Sequence, residues 1–245
     1  MKIIESFIRT ILTYVVLFFA TGIAATLSII GGTLIDPYCE FNNRVIKIWA
    51  RSILWISGTK IIIEGLENVK PGQSYIFVAN HQSNFDVLAA AAAIPETVRF
   101  IAKKELFRIP LFSQGMKAAG VIKIDRGNSA SAKKSIDEAV DIVRHGVSVI
   151  VFPEGTRSKD GKIHPFKKGG FILALNGEIP IMPMVISGSK YVLKKHWFIL
   201  KPGKIKTRFL KEIPTKDLSY DSRNQLVEQA RNQIVEMYEP EFNKE

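Results

Sequence analysis

An uncharged segment near the N-terminus restricts the fold of this chain more than any other feature. Thr10–Ile35 contains no Asp, Glu, Lys or Arg over 26 positions. A bilayer core needs about 20 apolar helical residues, so the segment is long enough to cross one. Lys2 and Arg9 precede it, as cations precede a signal peptide, but the apolar core of a signal peptide usually has only about 7–15 residues. We therefore expect a retained membrane helix. The sequence leaves open whether it crosses the bilayer or lies in one leaflet.

The next segment, Tyr38–Ser57, is predicted to be an amphipathic helix. At 100° per residue, one broad apolar side lies opposite Lys47 and Arg51. That side is formed by Phe41, Val45, Ile48, Trp49, Ile53, Trp55 and Ile56. Two tryptophans flanked by cations favour a helix at a membrane interface. The alternative is a surface helix packed on the core of the domain that follows.

From residue 59 onward the chain alternates strand-like and helix-like segments. Strands are predicted at Lys60–Glu64, Tyr75–Ala79, Val98–Ala102, Val121–Ile124, Val147–Phe152, Ile179–Ile186 and Lys204–Lys211. Helices are predicted at Val87–Ile94, Glu105–Ala118, Ser129–His145, Lys168–Leu175 and Ser222–Tyr238. Such alternation predicts an α/β fold with a mixed, largely parallel sheet flanked by helices. We therefore expect a two-helix membrane-binding motif at 1–58 and an α/β domain at 59–245.

The charge balance indicates an anionic partner. The formal net charge is +11, and strongly basic proteins associate with phospholipid surfaces, nucleic acids or acidic carriers. The basic stretches lack interleaved aromatic residues for base stacking, which argues against nucleic acid, whereas the apolar N-terminus favours phospholipid. Cys39 is the sole cysteine, which excludes an intrachain disulfide and a cysteine-based zinc cluster. No histidine pair has metal-ligand spacing on a helix, so no metal site is predicted.

Two polar segments follow predicted strands. Asn80–Asp86 follows the strand at Tyr75–Ala79, and Phe152–Ser158 follows the strand at Val147–Phe152. Sites in open α/β sheets lie beyond the carboxyl ends of strands, so we expect the two segments to face one site.

His81 and Asp86 in the first segment can act as a base and its orienting carboxylate. A neutral imidazole can accept a proton from a substrate hydroxyl while a carboxylate holds its other nitrogen. The spacing predicts Ser83 as the N-cap and Asp86 as the N3 residue of a capping box, which would turn Asp86 back toward His81. The alternative is that Asp86 only caps the helix.

The second segment offers groups that bind phosphate. Arg157 has a guanidinium fork, Thr156 a hydroxyl, and Gly155 permits a tight turn. The alternative is a solvated turn with a local Glu154–Arg157 salt bridge. Lys104 and Arg126 follow two further predicted strands on the same side, which supports a shared anion site.

Four segments, in order, resemble the motifs of the glycerolipid acyltransferases. They are Asn80–Asp86, Lys103–Pro110 with Gly120–Arg126, Phe152–Ser158, and Ile179–Pro183. Within that family the chain is most similar to the bacterial lysophosphatidic acid acyltransferases. The resemblance implies that His81, oriented by Asp86, removes the proton from the sn-2 hydroxyl of lysophosphatidic acid. The oxygen would then attack an acyl thioester, forming phosphatidic acid in phospholipid biosynthesis.

The resemblance also implies how the substrates are held. Gly155, Thr156 and Arg157 would hold the acceptor, with Glu154 beside them. Lys104 and Arg126 would neutralise its phosphate. The co-substrate would be a thioester of acyl carrier protein or coenzyme A, and no cofactor is implied.

Other interpretations stay open from the residues. One is acylation of glycerol 3-phosphate or another lysophospholipid. A second is a non-catalytic membrane protein that binds anionic lipid, and a third is a phosphoesterase holding a metal on His81 and Asp86.

The distribution of cations predicts an orientation for a crossing helix. Three cations follow the uncharged segment, Arg44, Lys47 and Arg51. Two precede it, Lys2 and Arg9. The excess on the C-terminal side places the catalytic domain on the cytoplasmic face of the inner membrane.

Overall fold

A seven-stranded sheet forms the centre of the computed structural model, which describes residues 2–34, 40–125 and 129–244. The strands are β1 (Thr59–Glu64), β2 (Ile76–Ala79), β3 (Val98–Lys103), β4 (Ile122–Ile124), β5 (Ser148–Val151), β6 (Ile181–Ser187) and β7 (Gly203–Phe209). Their order in the sheet is β1-β7-β6-β2-β5-β3-β4. Among the described strand pairs, β6 and β7 run antiparallel and the others run parallel. The predicted mixed, largely parallel α/β sheet is confirmed.

Helices cover both faces of the sheet. They are α1 (Lys2–Leu34), α2 (Glu40–Ile56), α3 (Phe85–Ala93), α4 (Phe112–Ala118), α5 (Ser129–Arg144), α6 (Gly169–Gly177), α7 (Ser189–Val192) and α8 (Arg223–Met237). Short 3-10 helices occur at Leu66–Asn68, Lys104–Arg108 and Tyr220–Ser222. Apolar side chains of α2 and α3 pack on one face, and those of α5, α6 and α8 pack on the other.

β2 shows how the sequence fixes this arrangement. All four of its side chains are fully buried. Phe77 and Ala79 join the core on the side of α2 and α3, and Ile76 and Val78 join the core on the opposite side. Successive strand residues point to opposite faces, so a continuous apolar run requires cover on both. β2 is therefore central, and its carboxyl end opens directly at Asn80.

The single helix predicted at Glu105–Ala118 is wrong. The structure has a 3-10 helix at Lys104–Arg108, an extended Ile109, and α4 beginning at Phe112. Pro110 disfavours helical geometry in the residue before it and cannot donate a backbone hydrogen bond. Leu111 takes a positive φ of 60°. The break lets the chain turn before α4 packs on α1.

α1 lies against the rest of the protein over much of its length. Its stretch Ile4–Gly32 has the length and composition of a membrane-spanning helix, with a mean hydropathy of 2.1. The indole N–H of Trp49 in α2 donates to Thr21 Oγ1 at 3.1 Å. Further along, Ala25 packs so closely on Gly115 of α4 that a Cβ on that glycine would meet the alanine Cβ at 2.5 Å. The opposite side of α1 exposes large apolar residues.

The broad apolar side of α2 is divided between two environments. Val45 and Ile53 are buried, whereas Ile48 and Trp55 are 69% and 79% exposed. The buried pair fits a surface helix packed on the core of the domain. The exposed pair fits a helix at a membrane interface. The predicted division at residue 58, between a membrane-binding motif and an α/β domain, stays a prediction. Both N-terminal helices pack on the α/β domain.

Candidate active site

His81 lies at the carboxyl end of β2, in a loop that closes around the Asp86 carboxylate. His81 Nδ1 is 2.9 Å from Asp86 Oδ2. The same oxygen accepts the backbone N–H groups of Gln82 at 2.6 Å and Ser83 at 2.8 Å. Asp86 is fully buried, and these bonds to Oδ2 replace part of the solvation its charge has lost. The carboxylate fixes both the loop and the imidazole.

The predicted cap of α3 is partly wrong. The helix begins at Phe85, and Asn84, rather than Ser83, occupies the N-cap position. Ser83 Oγ donates to the carbonyl of Leu193 at 2.8 Å. Asp86 nevertheless returns its carboxylate to the Ser83 N–H. The loop thus keeps the half of the capping box that brings Asp86 to His81.

The imidazole presents one nitrogen for chemistry. Asp86 occupies Nδ1, and the ring stacks on Phe152 with centroids 4.4 Å apart. The side chain of His81 is 17% exposed and lines a large cavity. A carboxylate at Nδ1 favours the tautomer in which Nε2 accepts a proton. The pair can therefore act as a general base toward a hydroxyl in the cavity.

Glu154 holds the loop that carries His81 and does not line the cavity. Its Oε1 accepts the His81 backbone N–H at 2.7 Å, and its Oε2 accepts the His164 N–H at 3.0 Å. Burial raises the pKa of the Glu154 carboxyl, and the two backbone hydrogen bonds oppose that rise. No Glu154–Arg157 ion pair is found among the described residues. Glu154 acts here as a positioning residue for His81.

The cavity beside His81 has a volume of about 1190 Å³. It is large compared with ordinary ligand sites of about 300–1,000 Å³. Much of its wall is apolar, with contributions from α1, α2 and α4. Examples are Ala25, Ile46, Leu106, Met116, Ala139 and Leu173. The N-terminal helices are therefore part of the candidate site, which the sequence alone does not reveal.

Cations surround the end of the cavity near His81. Lys103, Arg157 and Lys195, here called the cation cluster, all line it. Lys195 Nζ donates to Thr156 Oγ1 at 3.3 Å and to the carbonyl of Arg157. Desolvation lowers the pKa of the Lys195 ammonium, and the charges of Lys159, Arg157 and Lys103 lower it further. An anion bound here would relieve that repulsion.

Most of the predicted substrate residues lie at this cavity. Gly155, Thr156, Arg157 and Lys104 line it together with His81. Gly155 has a φ of 74°, and a Cβ there would come within 3.0 Å of the Lys167 side chain.

Lys104 and Arg126 are the predicted ligands of the acceptor phosphate. Lys104 Nζ is 2.8 Å from Asp125 Oδ2, so it is ion-paired in this structure. Arg126 lies outside the described residues.

Lys195 and Lys167 are site residues that the sequence interpretation missed. Lys195 belongs to the basic stretch 194–196, which resembles an ordinary solvated surface. No sequence motif around Lys167 indicates that it binds a ligand. Both reach the cavity through the fold rather than through a motif.

The sequence of the chain matches the model of a known protein family. The Acyltransferase family model matches residues 60–187, just over half of the chain. This chain belongs to the acyltransferase family. The matched range of the acyltransferase includes the two polar segments and the four segments with the family resemblance, which is thereby confirmed.

Several curated proteins are similar to this acyltransferase. The 1-acyl-sn-glycerol-3-phosphate acyltransferase of Cocos nucifera is 36% identical over 213 residues, covering 85% of this chain and 68% of that protein. The protein of the same name from Limnanthes douglasii is 37% identical over 184 residues, covering 75% and 65%. The human 1-acyl-sn-glycerol-3-phosphate acyltransferase alpha is 32% identical over 200 residues, covering 80% and 70%. The chain spans about two thirds of the length of these relatives.

The fold also matches a solved structure. The crystal structure of the 1-acyl-sn-glycerophosphate (LPA) acyltransferase PlsC from Thermotoga maritima aligns with a TM-score of 0.82 and 24% identity. The alignment covers 96% of this chain and 95% of that one. It therefore includes the N-terminal helices, and it supports the α/β fold of the acyltransferase.

Proposed function

We propose that this protein transfers an acyl group from a thioester to the sn-2 hydroxyl of lysophosphatidic acid, forming phosphatidic acid. The observation that carries the proposal is the His81–Asp86 pair at a large apolar cavity with cations around it. That combination suits an acceptor with a hydroxyl, a phosphate and a fatty chain. The names of the relatives, given above, support the same acceptor.

The reaction begins with proton removal by His81. Nε2 takes the proton of the sn-2 hydroxyl as the oxygen attacks the thioester carbonyl carbon. Asp86 stabilises the imidazolium that forms, through its 2.9 Å contact with Nδ1. The tetrahedral intermediate collapses by breaking the carbon–sulfur bond. The thiolate leaves and takes the proton from His81, which restores the base.

The cation cluster would bind the acceptor phosphate. Arg157 is half-exposed at the cavity, and no hydrogen bond or ion pair of its guanidinium is found among the described residues. Its fork can bind a phosphate through two hydrogen bonds. Lys195 lies beside it and already contacts the Arg157 carbonyl. Lys104 would join the phosphate by leaving Asp125, and Arg126 remains a proposed ligand.

The acyl donor would be a thioester of acyl carrier protein or of coenzyme A. Both are acidic, and a net charge of +11 suits either. The apolar part of the cavity would hold the fatty chains. His81 and the thioester supply the chemistry, so we propose no cofactor beyond the donor.

The protein would work at the cytoplasmic face of the inner membrane, whose anionic lipids attract a protein with a net charge of +11. α1 exposes an apolar side and packs its other side on α2 and α4 from Thr21 to Gly32. A helix held along its length by a water-facing domain fits insertion into one leaflet better than a perpendicular crossing. The cavity wall built from α1 would then receive lipid substrates from that leaflet.

An acceptor and donor panel tests the proposed function. The full chain, reconstituted in vesicles, is supplied with acyl carrier protein and coenzyme A thioesters, and with either lysophosphatidic acid or glycerol 3-phosphate. We expect phosphatidic acid from the first acceptor and little product from the second. Faster acylation of glycerol 3-phosphate would favour that alternative. Binding of lysophosphatidic acid without acyl transfer from either donor would favour a lipid-binding protein.

A further inference from the structure

Three large apolar side chains stand exposed in the loop between α7 and β7. Trp197 is 57% exposed, Phe198 75% and Ile199 50%. We call these three residues the 197–199 loop. Consecutive exposed apolar residues on a soluble surface mark a binding site for protein or lipid. Trp197, Phe198 and Ile199 do not line the cavity, so catalysis does not account for them.

The loop is held in place by hydrogen bonds on both sides. The Trp197 N–H donates to the Lys194 carbonyl at 3.1 Å, and the Lys201 N–H donates to the Val192 carbonyl at 2.9 Å. The Leu200 N–H donates to Thr10 Oγ1 in α1 at 2.9 Å. These bonds present the apolar side chains outward in a fixed position instead of letting them fold back on the domain.

The loop continues the exposed apolar side of α1. Tyr14 donates its hydroxyl to the Phe198 carbonyl at 3.0 Å. Phe7, Ile11 and Phe18 lie three or four residues from Tyr14 or from one another, so they share its side of the helix. Their side chains are 57%, 50% and 76% exposed. One apolar surface therefore extends from α1 onto the loop, although the two are far apart in sequence.

The charges next to the loop select a lipid surface over a protein groove. Lys194 Nζ lies 5.2 Å from the centre of the Trp197 ring. Tryptophan and lysine together suit the boundary between headgroups and acyl chains. Lys194 and Lys201 are exposed on either side of the apolar residues. Cations around an apolar tip match the phosphates of an anionic membrane above its hydrocarbon.

We propose that the 197–199 loop is a second membrane-insertion element, which enters the same anionic lipid leaflet as α1. Lys195, two residues before it, lines the cavity and contacts Arg157. Insertion of the loop would therefore set the cation cluster at the depth of the lipid phosphates. The inference rests on the membrane association in the proposed function, and it concerns a surface that the acyl-transfer chemistry does not use.

Lipid quenching of a site-specific fluorophore tests the insertion. In a Cys39→Ser background, single cysteines at Phe198→Cys, Phe18→Cys and Lys211→Cys carry an environment-sensitive dye. Phe18 is the positive control on α1. Lys211 is exposed beyond the opposite end of β7 and is the negative control. The proteins are reconstituted in phosphatidylcholine vesicles, with and without phosphatidylglycerol, that contain brominated acyl chains.

We expect bromine to quench the dyes at 198 and 18 and to leave the dye at 211 bright. Quenching at 198 should increase with phosphatidylglycerol. Quenching at 18 without quenching at 198 would overturn the loop proposal and leave the membrane association intact. Absence of quenching at both positions would overturn the loop proposal and the proposed membrane association.

A kinetic comparison separates insertion from a structural role. The double variant Phe198→Ser/Ile199→Ser should raise the KM for vesicle-embedded lysophosphatidic acid by roughly tenfold, because apolar area no longer enters the lipid. The rate on a short-chain, monomeric lysophosphatidic acid should be unchanged. An equal loss of activity on the vesicle-embedded and the monomeric acceptor would contradict the proposal.

Discussion

Glu154 Oε1 accepts the backbone N–H of His81 at 2.7 Å, which joins two strand-end segments 73 residues apart. The Ser158 N–H donates to the His81 carbonyl at 2.8 Å, so both backbone polar groups of the base are held by the second segment. The motif expected to contact the substrate also fixes the main chain of the base. Changes in the second segment should therefore alter catalysis through the position of His81.

Glu154→Gln should reduce both stability and turnover. A glutamine side chain has one acceptor oxygen, so one of the two backbone N–H groups would face an amide N–H instead. Leaving a buried donor unpaired costs about 1–3 kcal/mol. We expect a loss of that size in denaturant unfolding and a lower kcat with little change in the KM for lysophosphatidic acid. Glu67→Gln, at an exposed carboxylate, is the control, and equal stability of the two variants would contradict the positioning role.

Lys195→Ala should weaken binding of the phosphate-bearing acceptor. Losing one charged hydrogen bond from the cation cluster should raise the KM for lysophosphatidic acid about tenfold or more, and affect kcat less. Acylation of monoacylglycerol, which lacks the phosphate, should change little. Lys162→Ala removes an exposed cation outside the cavity lining and serves as the control. If Lys195→Ala slowed both acceptors equally, Lys195 would not be a phosphate ligand.

Gly115→Ala should disturb the packing of α1 on α4. The new Cβ would lie 2.5 Å from the Cβ of Ala25, so one helix must shift. Overpacking of this kind typically costs about 1–3 kcal/mol. The same shift would reshape the cavity wall, since Gly115 and Ala25 both line it.

Gly22→Ala is the matched control for that change. A Cβ at Gly22 meets no heavy atom within 4 Å, and alanine favours a helix. Thermal unfolding of both variants is the measurement. We expect a lower midpoint for Gly115→Ala and an unchanged or higher one for Gly22→Ala. Equal midpoints would contradict the close α1–α4 contact.

Tyr238 supports the loop that carries His81, and its pKa is raised above the usual value for tyrosine. Its hydroxyl donates to Gln82 Oε1 at 2.8 Å and lies 3.2 Å from the Gly161 carbonyl. Burial of the phenol raises the pKa of Tyr238 from 10.0 to about 12. A raised folded-state pKa gives stability that is fully present below the unfolded pKa and lost as pH rises through the folded one.

The wild-type protein and Tyr238→Phe isolate that contribution. The difference between their free energies of unfolding should be constant below pH 10 and should shrink between pH 10 and about 12. Tyr220→Phe, at an exposed tyrosine, controls for phenol titration in general. A difference that stays constant to pH 12 would contradict the raised pKa of Tyr238.

The features predicted from sequence are those with a local pattern. β2 was recognisable because four apolar residues precede a polar segment, and His81 and Asp86 lie in that segment. Both residues lie in one short loop, so their spacing in the sequence is enough to predict that they are in contact. The sequence does not predict the full break in the helix at Pro110. Leu111, the next residue, adopts a positive φ that its residue type does not favour.

The features that were missed depend on distant parts of the chain. Lys195 reaches the cavity from 38 residues beyond Arg157, through the turn after α7. Glu154 has the residue type of a substrate contact, and only the fold shows its oxygens on two backbone amides. The apolar side of α2 is continuous in sequence, and its division between core and exterior depends on where α3 lies. Such contacts follow from packing, which a single sequence does not contain.

Acyl transfer to lysophosphatidic acid by His81→Ala tests most directly whether His81 is the general base. A general base contributes about 10²–10⁴-fold to a rate, so phosphatidic acid formation should fall by at least that range. Circular dichroism and vesicle co-sedimentation should match the wild type, because Asp86 keeps its two backbone hydrogen bonds. His164→Ala, which retains the backbone N–H bonded to Glu154, is the control and should stay active. Wild-type turnover by a folded, membrane-bound His81→Ala protein would contradict the mechanism.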